Sequence, residues 1–293
     1  MKAPAFDYVR VNSVGDALAL LRRHGDEAKI VAGGQSLLPA LNLRLLAPRI
    51  LIDIGGIEEL RGIVVRDGVV RVGAMARHAE LMRSPDIARH VPLVAQAMPY
   101  LSHPAIRNRG TLGGNLANAD PASELPACCL ALGATLIAAG PHGERRIAAA
   151  DFFTGIYETS LEPDELLVAA EFPAAPADGV HAFEELARRT GDYAIVGLAA
   201  SGRAQDGALA DLRLAFFSAG PKPILAAGAG AALTGRPVTE AAIADAQAAL
   251  AQDLDPPTDL QASAAMRLHL ARVLLRRAVD RLVPGAIDTR MSA

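Results

Sequence analysis

Ala105-Ile-Arg-Asn-Arg-Gly-Thr-Leu-Gly-Gly-Asn-Leu-Ala-Asn-Ala-Asp-Pro-Ala-Ser-Glu-Leu-Pro126 is the stretch whose reading decides the fold. Its residues are small, polar or turn-forming, and a continuous apolar run starts only after Pro126, so the stretch is expected to lie outside the core. Gly113-Gly114 can adopt backbone angles closed to other residues and lets a ligand approach bare peptide. Two readings follow from the residues alone: a tight surface turn, or a concavity of outward-facing amides that receives a phosphate. The length of the pattern and a second pair upstream, Gly33-Gly34, weigh toward the second.

Upstream, Ser13 with Asp16 three residues later opens a helix carried by Ala17, Leu18, Leu20 and Leu21, and Gly25 ends it. Ala28 to Ala32 reads as a short buried strand that delivers the chain into Gly33-Gly34-Gln35-Ser36 and then a helix from Leu37 to Leu41. Strand, glycine turn and helix in that order receive phosphate oxygens at the helix start. The spacing is neither the dinucleotide fingerprint nor a P-loop, which requires Gly-Lys-Ser/Thr. Arg49 to Ile54 is a second strand, and Ile63 to Val72 a hairpin turning at Asp67-Gly68. Helices span Ala79 to Tyr100, broken near Ser84-Pro85 and Val91-Pro92.

Downstream, Leu125 to Leu132 is expected to be helical, with Cys128 and Cys129 buried in it. Ala134 to Ala139 pairs with Arg145 to Ala148 across Pro141-His142-Gly143, and Leu166 to Phe172 is another strand. Pro173 to Gly179, with two prolines and no periodicity, reads as a linker. Beyond it, His181 to Ala187, Ala194 to Arg203 and Leu209 to Ser218 read as antiparallel strands, the last two joined by Gln205-Asp206-Gly207. Helices close the chain at Thr239 to Ala251 and Asp259 to Leu282. The arginines of the last one, Arg267, Arg272, Arg276, Arg277 and Arg281, form either a basic docking face or a solvated one, and the dipole argument favours the latter. Gly228-Ala229-Gly230 reads as a flexible turn before a helix, since Leu233 stands where a dinucleotide fingerprint needs a small residue.

At 293 residues the chain exceeds one average domain. Half of it is hydrophobic, but Trp is absent and aromatics are scarce, so Ala, Leu and Val must fill the interior. A formal charge of −3 makes no case for nucleic acid or an anionic membrane surface. No run reaches membrane-spanning length and no apolar leader opens the chain, which together lead us to expect a cytoplasmic protein. Two adjacent cysteines cannot bridge without strain, and a [2Fe–2S] cluster needs four ligands, so this chain cannot hold one alone. There is no zinc-spaced Cys/His set and no Gly-x-Ser-x-Gly elbow.

Taken jointly, Ala32 to Leu37, Thr111 to Asn115, Ala5-Phe6-Asp7-Tyr8, Ala119 to Pro126 and Arg189-Thr190-Gly191-Asp192-Tyr193-Ala194 make the chain resemble the medium, FAD-binding subunit of molybdenum hydroxylases. That group includes xanthine dehydrogenases, aerobic carbon monoxide dehydrogenases and bacterial dehydrogenases of nicotine and caffeine. The resemblance implies an α+β chain: a two-part FAD-binding domain of the para-cresol-methylhydroxylase type over residues 1–175, then a smaller α+β domain of antiparallel sheet plus helices over 176–285.

It further implies that Val31, Ala32, Gly33, Gly34, Gln35, Ser36 and Leu37 hold FAD from one side and Thr111, Gly113, Gly114 and Asn115 from the other, amides clasping the pyrophosphate. Leu101, Glu124 and Leu167 fall at cofactor-contacting positions, and Tyr193 at an aromatic near the isoalloxazine. No metal ligand or catalytic residue is expected on this chain. Where some relatives carry a lysine before the Arg-Thr-Gly-Asp-Tyr block, Glu184 and Glu185 stand here. The implied partners are a large subunit with the molybdenum cofactor and a small one with two [2Fe–2S] clusters, in a dimer of heterotrimers serving an external electron acceptor. Two rivals are a stand-alone FAD oxidoreductase of the same fold and a docking subunit without cofactor. Against the first, no acid or nucleophile is evident to serve a flavin substrate; against the second, both glycine pairs are intact.

Overall fold

The computed structural model describes residues 2–205 and 208–285. Near the start, the Ser13 hydroxyl accepts from the Asp16 amide at 3.1 Å and caps helix Val14–His24, and Gly25, at φ 50°, ends it. The helix feeds a three-stranded parallel sheet with Ile50–Asp53 in the centre, flanked by Asp7–Arg10 and Ala28–Val31. The central strand is apolar and buried, which is what two covered faces demand. Asp7–Arg10 has no exposed-to-buried alternation, so the hydrophobic pattern carries no sign of it.

A five-stranded antiparallel sheet follows, in the order Ile63–Arg66, Val69–Gly73, Leu166–Pro173, Thr135–Gly140, Gly143–Ala148. The Asp67-Gly68 turn has positive φ at both residues, the twist that matches a two-residue hairpin. Three short helices, His78–Arg83, Pro85–His90 and Pro92–Ala97, break where the prolines predict, the latter two with proline in the first turn. The largest core joins this sheet, through Val70, Val72 and Phe172, to Leu93, Leu116, Leu125, Cys128, Cys129 and Phe152. The stretch from Ala105 to Pro126 belongs to it, contrary to expectation. It forms helices Pro104–Arg107 and Leu112–Asn118 and the start of Glu124–Leu132, and it buries Leu112, Gly113 and Leu116. Small residues here allow close packing of backbone rather than exposure.

Residues 174–178 cross to the second part, and they are tied down: the Ala174 amide donates to Gly68 O and that of Ala175 to His90 O, both at 2.8 Å. A four-stranded antiparallel sheet then runs in the order Gly179–Ala187, Ala194–Gln205, Ala208–Phe217, Ile224–Leu225. The Asp206-Gly207 turn lies outside the described residues. One face, with Leu198, Ala200, Leu214 and Phe216, packs on helices Ala227–Leu233 and Ala264–Leu282, and Glu240–Asp253 packs against those two helices in the same core. The other, with Phe183, Ala199, Ala215 and Phe217, packs on helix Glu124–Leu132 and its neighbours. Helix Glu124–Leu132 is therefore apolar nearly all round because it is covered nearly all round.

Two readings of the second part are corrected. Gly228 and Gly230 are inside helix Ala227–Leu233, whose first amides are capped by the Asp253 carboxylate at 3.0 and 2.8 Å. The last helix starts at Ala264, capped by Ser263, and its arginines are not a uniformly solvated face. Arg267 is buried, Arg276 pairs with Glu240 and Asp280, and Arg281 pairs with Glu184.

Candidate functional site

Strand Ala28–Val31 releases the chain into Ala32-Gly33-Gly34-Gln35-Ser36, and helix Leu37–Asn42 follows. Gly34 takes φ 70°, a left-handed angle, and Gln35 Nε2 donates back to Gly33 O at 2.9 Å, which closes the loop on itself. Among the described residues, the amides of Gly33, Gly34, Gln35 and Ser36 donate to no protein acceptor. Successive bare amides around a left-handed residue form an anion receptor.

The second glycine pair works differently. Thr111 caps helix Leu112–Asn118, its Oγ1 accepting from the Gly114 amide at 3.1 Å. The Leu112 amide donates to Ala76 O at 2.9 Å, that of Gly113 to Ala74 O at 2.8 Å, and that of Asn115 to Thr111 O at 3.0 Å. The expected clasp of outward amides from both loops is corrected: the four amides from Leu112 to Asn115 are occupied by the protein. What these glycines supply is space. A Cβ on Gly113 would lie 2.4 Å from Ala74 Cβ, whereas one on Gly114 would meet only Thr111 Oγ1, at 2.9 Å, and Ala32 Cβ, at 3.5 Å.

His78 holds this corner. Its Nε2 donates to Thr111 O at 3.0 Å, and since a carbonyl only accepts, the proton sits on Nε2. Burial pulls its pKa down to about 4, so the ring is neutral.

Helix Leu112–Asn118 ends at Ala119, at φ 47°, and the chain turns through Asp120-Pro121-Ala122-Ser123. Asp120 Oδ1 accepts from the Ala122 amide at 2.9 Å, and Ser123 Oγ donates to Asn115 Oδ1 at 2.8 Å. Tyr157, at φ 57°, reaches the same turn: its amide donates to Ala119 O and its hydroxyl to Asp120 Oδ2, both at 3.2 Å. Glu124, 8% exposed, has its carboxyl pKa raised to about 7, by burial first and then by the Asp120 charge. The second part adds the loop that carries Gly191, Asp192 and Tyr193. Gly191, at φ 79°, rests on His103, where a Cβ would stand 2.8 Å from Nδ1. Tyr193 is 61% exposed, and its phenol pKa is raised by burial and by Asp120, Glu124 and Asp192.

These elements surround one cleft of about 660 Å³. Ala32, Gly33, Gly34, Gln35, Ser36, Leu37, Leu101, Thr111, Gly113, Gly114, Asn115, Glu124, Leu167 and Tyr193 all line it; Val31, at the end of strand Ala28–Val31, does not. Lys29, His78, Ser102, Asp120, Tyr157 and Asp192 line it too, and sequence reasoning missed them as individual site residues. Asp120 and Asp192 fall inside the blocks that carry the family resemblance, but nothing local distinguishes His78 or Tyr157. Of the two glutamates in place of a lysine, Glu184 pairs with Arg281 at 2.7 Å, away from the cleft. Glu185 has its pKa raised to about 8, by burial and then by Glu124, and no residue of strand Gly179–Ala187 lines the cleft.

Bare amides suit a diphosphate, a buried carboxyl suits hydroxyl or amino donors, and exposed tyrosines suit a flat ring. The volume is that of a small-molecule site. A dinucleotide such as FAD fits this donor set.

Comparison with known proteins agrees. The family described as the FAD binding domain in molybdopterin dehydrogenase matches residues 4–175, and the CO dehydrogenase flavoprotein C-terminal domain matches 181–282. Subunit alpha of the 6-hydroxypseudooxynicotine dehydrogenase complex of Paenarthrobacter nicotinovorans is 39% identical over 100% of this chain and 99% of its own. The carbon monoxide dehydrogenase medium chain of Hydrogenophaga pseudoflava is 37% identical over 96% and 98%. A solved structure of the carbon monoxide dehydrogenase of that organism, lacking the Mo-pyranopterin moiety, superposes with a TM-score of 0.94 over 96% of this chain and 98% of the matched one, at 39% identity. A loop of bare amides at the head of a cleft, and likeness that runs through both halves at once, have one common account: the chain belongs to the FAD-binding medium subunits of molybdenum-containing dehydrogenases.

Proposed function

We infer that this chain binds FAD in the cleft and forms the electron outlet of a heteromeric molybdenum hydroxylase. The observation that carries the reading is the loop from Gly33 to Ser36, whose four amides donate to no protein acceptor among the described residues, beside a cleft that Gly114 also lines. Those amides would hold the pyrophosphate. Glu124 and Asp120 would accept from ribose or adenine donors, Leu101 and Leu167 would cover apolar surface, and Tyr193 would lie near the ring. When bound, FAD supplies the exchange between one-electron and two-electron partners. The residues around it bind, orient and exclude water.

The two cysteines are fully buried in helix Glu124–Leu132 and burial raises both thiol pKa values, so they cannot furnish the four thiolates of a cluster. Electrons must then come from elsewhere. The supported source is a small partner with two [2Fe–2S] clusters, fed by a large molybdenum-cofactor subunit that hydroxylates a small substrate such as an N-heterocycle, an aldehyde or CO. The chain hands the electrons to an external acceptor. We read the assembly as a dimer of heterotrimers in the cytoplasm, and the division of this chain as 1–175 and 176–285; among the described residues no helix is long and apolar enough to cross a membrane.

Purification of the expressed complex tests the reading. The expected preparation is yellow-brown, with flavin in this subunit and molybdenum and iron in co-purifying ones. Iron–sulfur absorbance without flavin, or a lone chain that reduces its flavin with a small organic donor, would count against it.

A further inference from the structure

Arg267 enters the second part from the first turn of the final helix and is 3% exposed. Its Nη1 donates to two backbone carbonyls, Ile195 O and, at 3.1 Å, Ser218 O, and its Nη2 to Asp259 Oδ2 at 2.6 Å. Asp259 is itself held by the amides of Gln261 and Ala262 at 2.9 and 3.2 Å. The two carbonyls belong to segments that lead straight to the cleft. Ile195 is two residues after Tyr193. Ser218, at φ 55°, donates its own amide to Pro121 O at 2.8 Å, and Pro121 follows Asp120 in the turn that receives the Tyr157 hydroxyl.

One buried cation thus ties the arm that presents Tyr193 to the strand end that grips the Asp120 turn. The paired strands themselves do not make this tie, because their ladder begins only at Gly197 and Phe217. A guanidinium suits such a tie, since it presents several fixed donors and remains charged when buried.

We propose that Arg267 is a positioning residue of the flavin site, setting the placement of Tyr193 relative to Asp120 from outside the cleft. The proposal rests on FAD occupying the cleft with its ring near Tyr193.

The test uses the full-length holoprotein and three measurements: FAD retention on dilution, the visible absorption envelope of the bound flavin, and Tm. Arg267→Met is compared with Arg267→Lys and with Leu275→Ala, which removes buried volume from the same helix away from the network. Arg267→Met is expected to weaken FAD retention at least about tenfold, the effect of one lost charge-assisted hydrogen bond, and to reshape the flavin bands. Arg267→Lys should recover part of both. Leu275→Ala should lower Tm comparably while retention stays within about twofold, as expected for a distant and independent site. Equal loss of FAD in Arg267→Met and Leu275→Ala at equal Tm, with unchanged band shape, overturns the proposal. If Arg267→Met fails to fold, Asp259→Asn takes its place, since that carboxylate is nearly half exposed; native retention and spectrum there also overturn it. A wild-type chain without flavin, or Tyr193→Ala with an unchanged flavin spectrum, overturns the cleft assignment as well and so identifies which premise failed.

Discussion

Gly33 touches the backbone of Arg109: a Cβ on Gly33 would stand 2.3 Å from the Arg109 carbonyl oxygen and 2.8 Å from Gly110 Cα. The two glycine-bearing segments, far apart in sequence, are thereby fused into one surface. Gly33→Ala must force them apart, and overpacking of this kind costs about 1–3 kcal/mol. The expected result is a lower urea midpoint together with loss of flavin from the purified protein. A Gly33→Ala variant as stable and as yellow as wild type would show that the contact is dispensable.

Gly113 and Gly114 are adjacent yet should respond oppositely. Valine at Gly113 collides with Ala74 and is expected to prevent folding, seen as loss of soluble protein. At Gly114 an added valine Cβ is crowded by the Thr111 hydroxyl and otherwise only touches Ala32 Cβ, so the cost at that atom is that of a disturbed helix cap, about 1 kcal/mol. That variant should fold and release its flavin. Soluble Gly114→Val with full flavin content would remove Gly114 from the cofactor floor.

His78 should make stability fall on the acid side. Its pKa is about 4 in the folded chain against 6.5 ordinarily, so between those values the unfolded chain binds more protons. Stability is then complete above pH 6.5 and lost as the pH drops toward 4, by about 3 kcal/mol at most. His78→Gln, which keeps a donor for Thr111 O, should flatten the dependence of the urea midpoint on pH in that window. An unchanged slope would assign the acid sensitivity to other groups.

Glu124 has the opposite sign. Burial raises its pKa from 4.5 to about 7, so the folded chain binds more protons in that interval and stability falls as the pH rises through it. Glu124→Gln is expected to raise Tm of the flavin-free chain at pH 8 and leave it unchanged at pH 5, measured by thermal scanning at both values. Equal shifts at both would mean that the carboxyl is not held neutral by its surroundings.

Local chemistry was legible where it acts locally. The Ser13 cap, the Asp67-Gly68 hairpin and the proline breaks at Pro85 and Pro92 were all readable because each is decided within a few residues. Strand Asp7–Arg10 was not, since its side chains are exposed and its partner Ile50–Asp53 supplies the pairing. Gly228 and Gly230 misled because a glycine in a helix is tolerated when packing compensates, here beneath the Asp253 cap.

By itself the sequence determined that two cysteines are too few for a cluster, and its family resemblance led us to expect that two glycine loops, an Asp-Pro-Ala-Ser-Glu turn and an Arg-Thr-Gly-Asp-Tyr block serve one cofactor site. Only the tertiary structure decided how the loops divide the work. Among the described residues the amides at Gly33 to Ser36 find no protein acceptor, while those of Leu112, Gly113 and Gly114 are claimed by Ala76, Ala74 and Thr111. Nor could periodicity separate Arg267 from the other arginines of its helix. Whether a long cationic side chain faces water or two carbonyls depends on which strand ends lie beneath it, and those are set by pairing between residues distant in the chain.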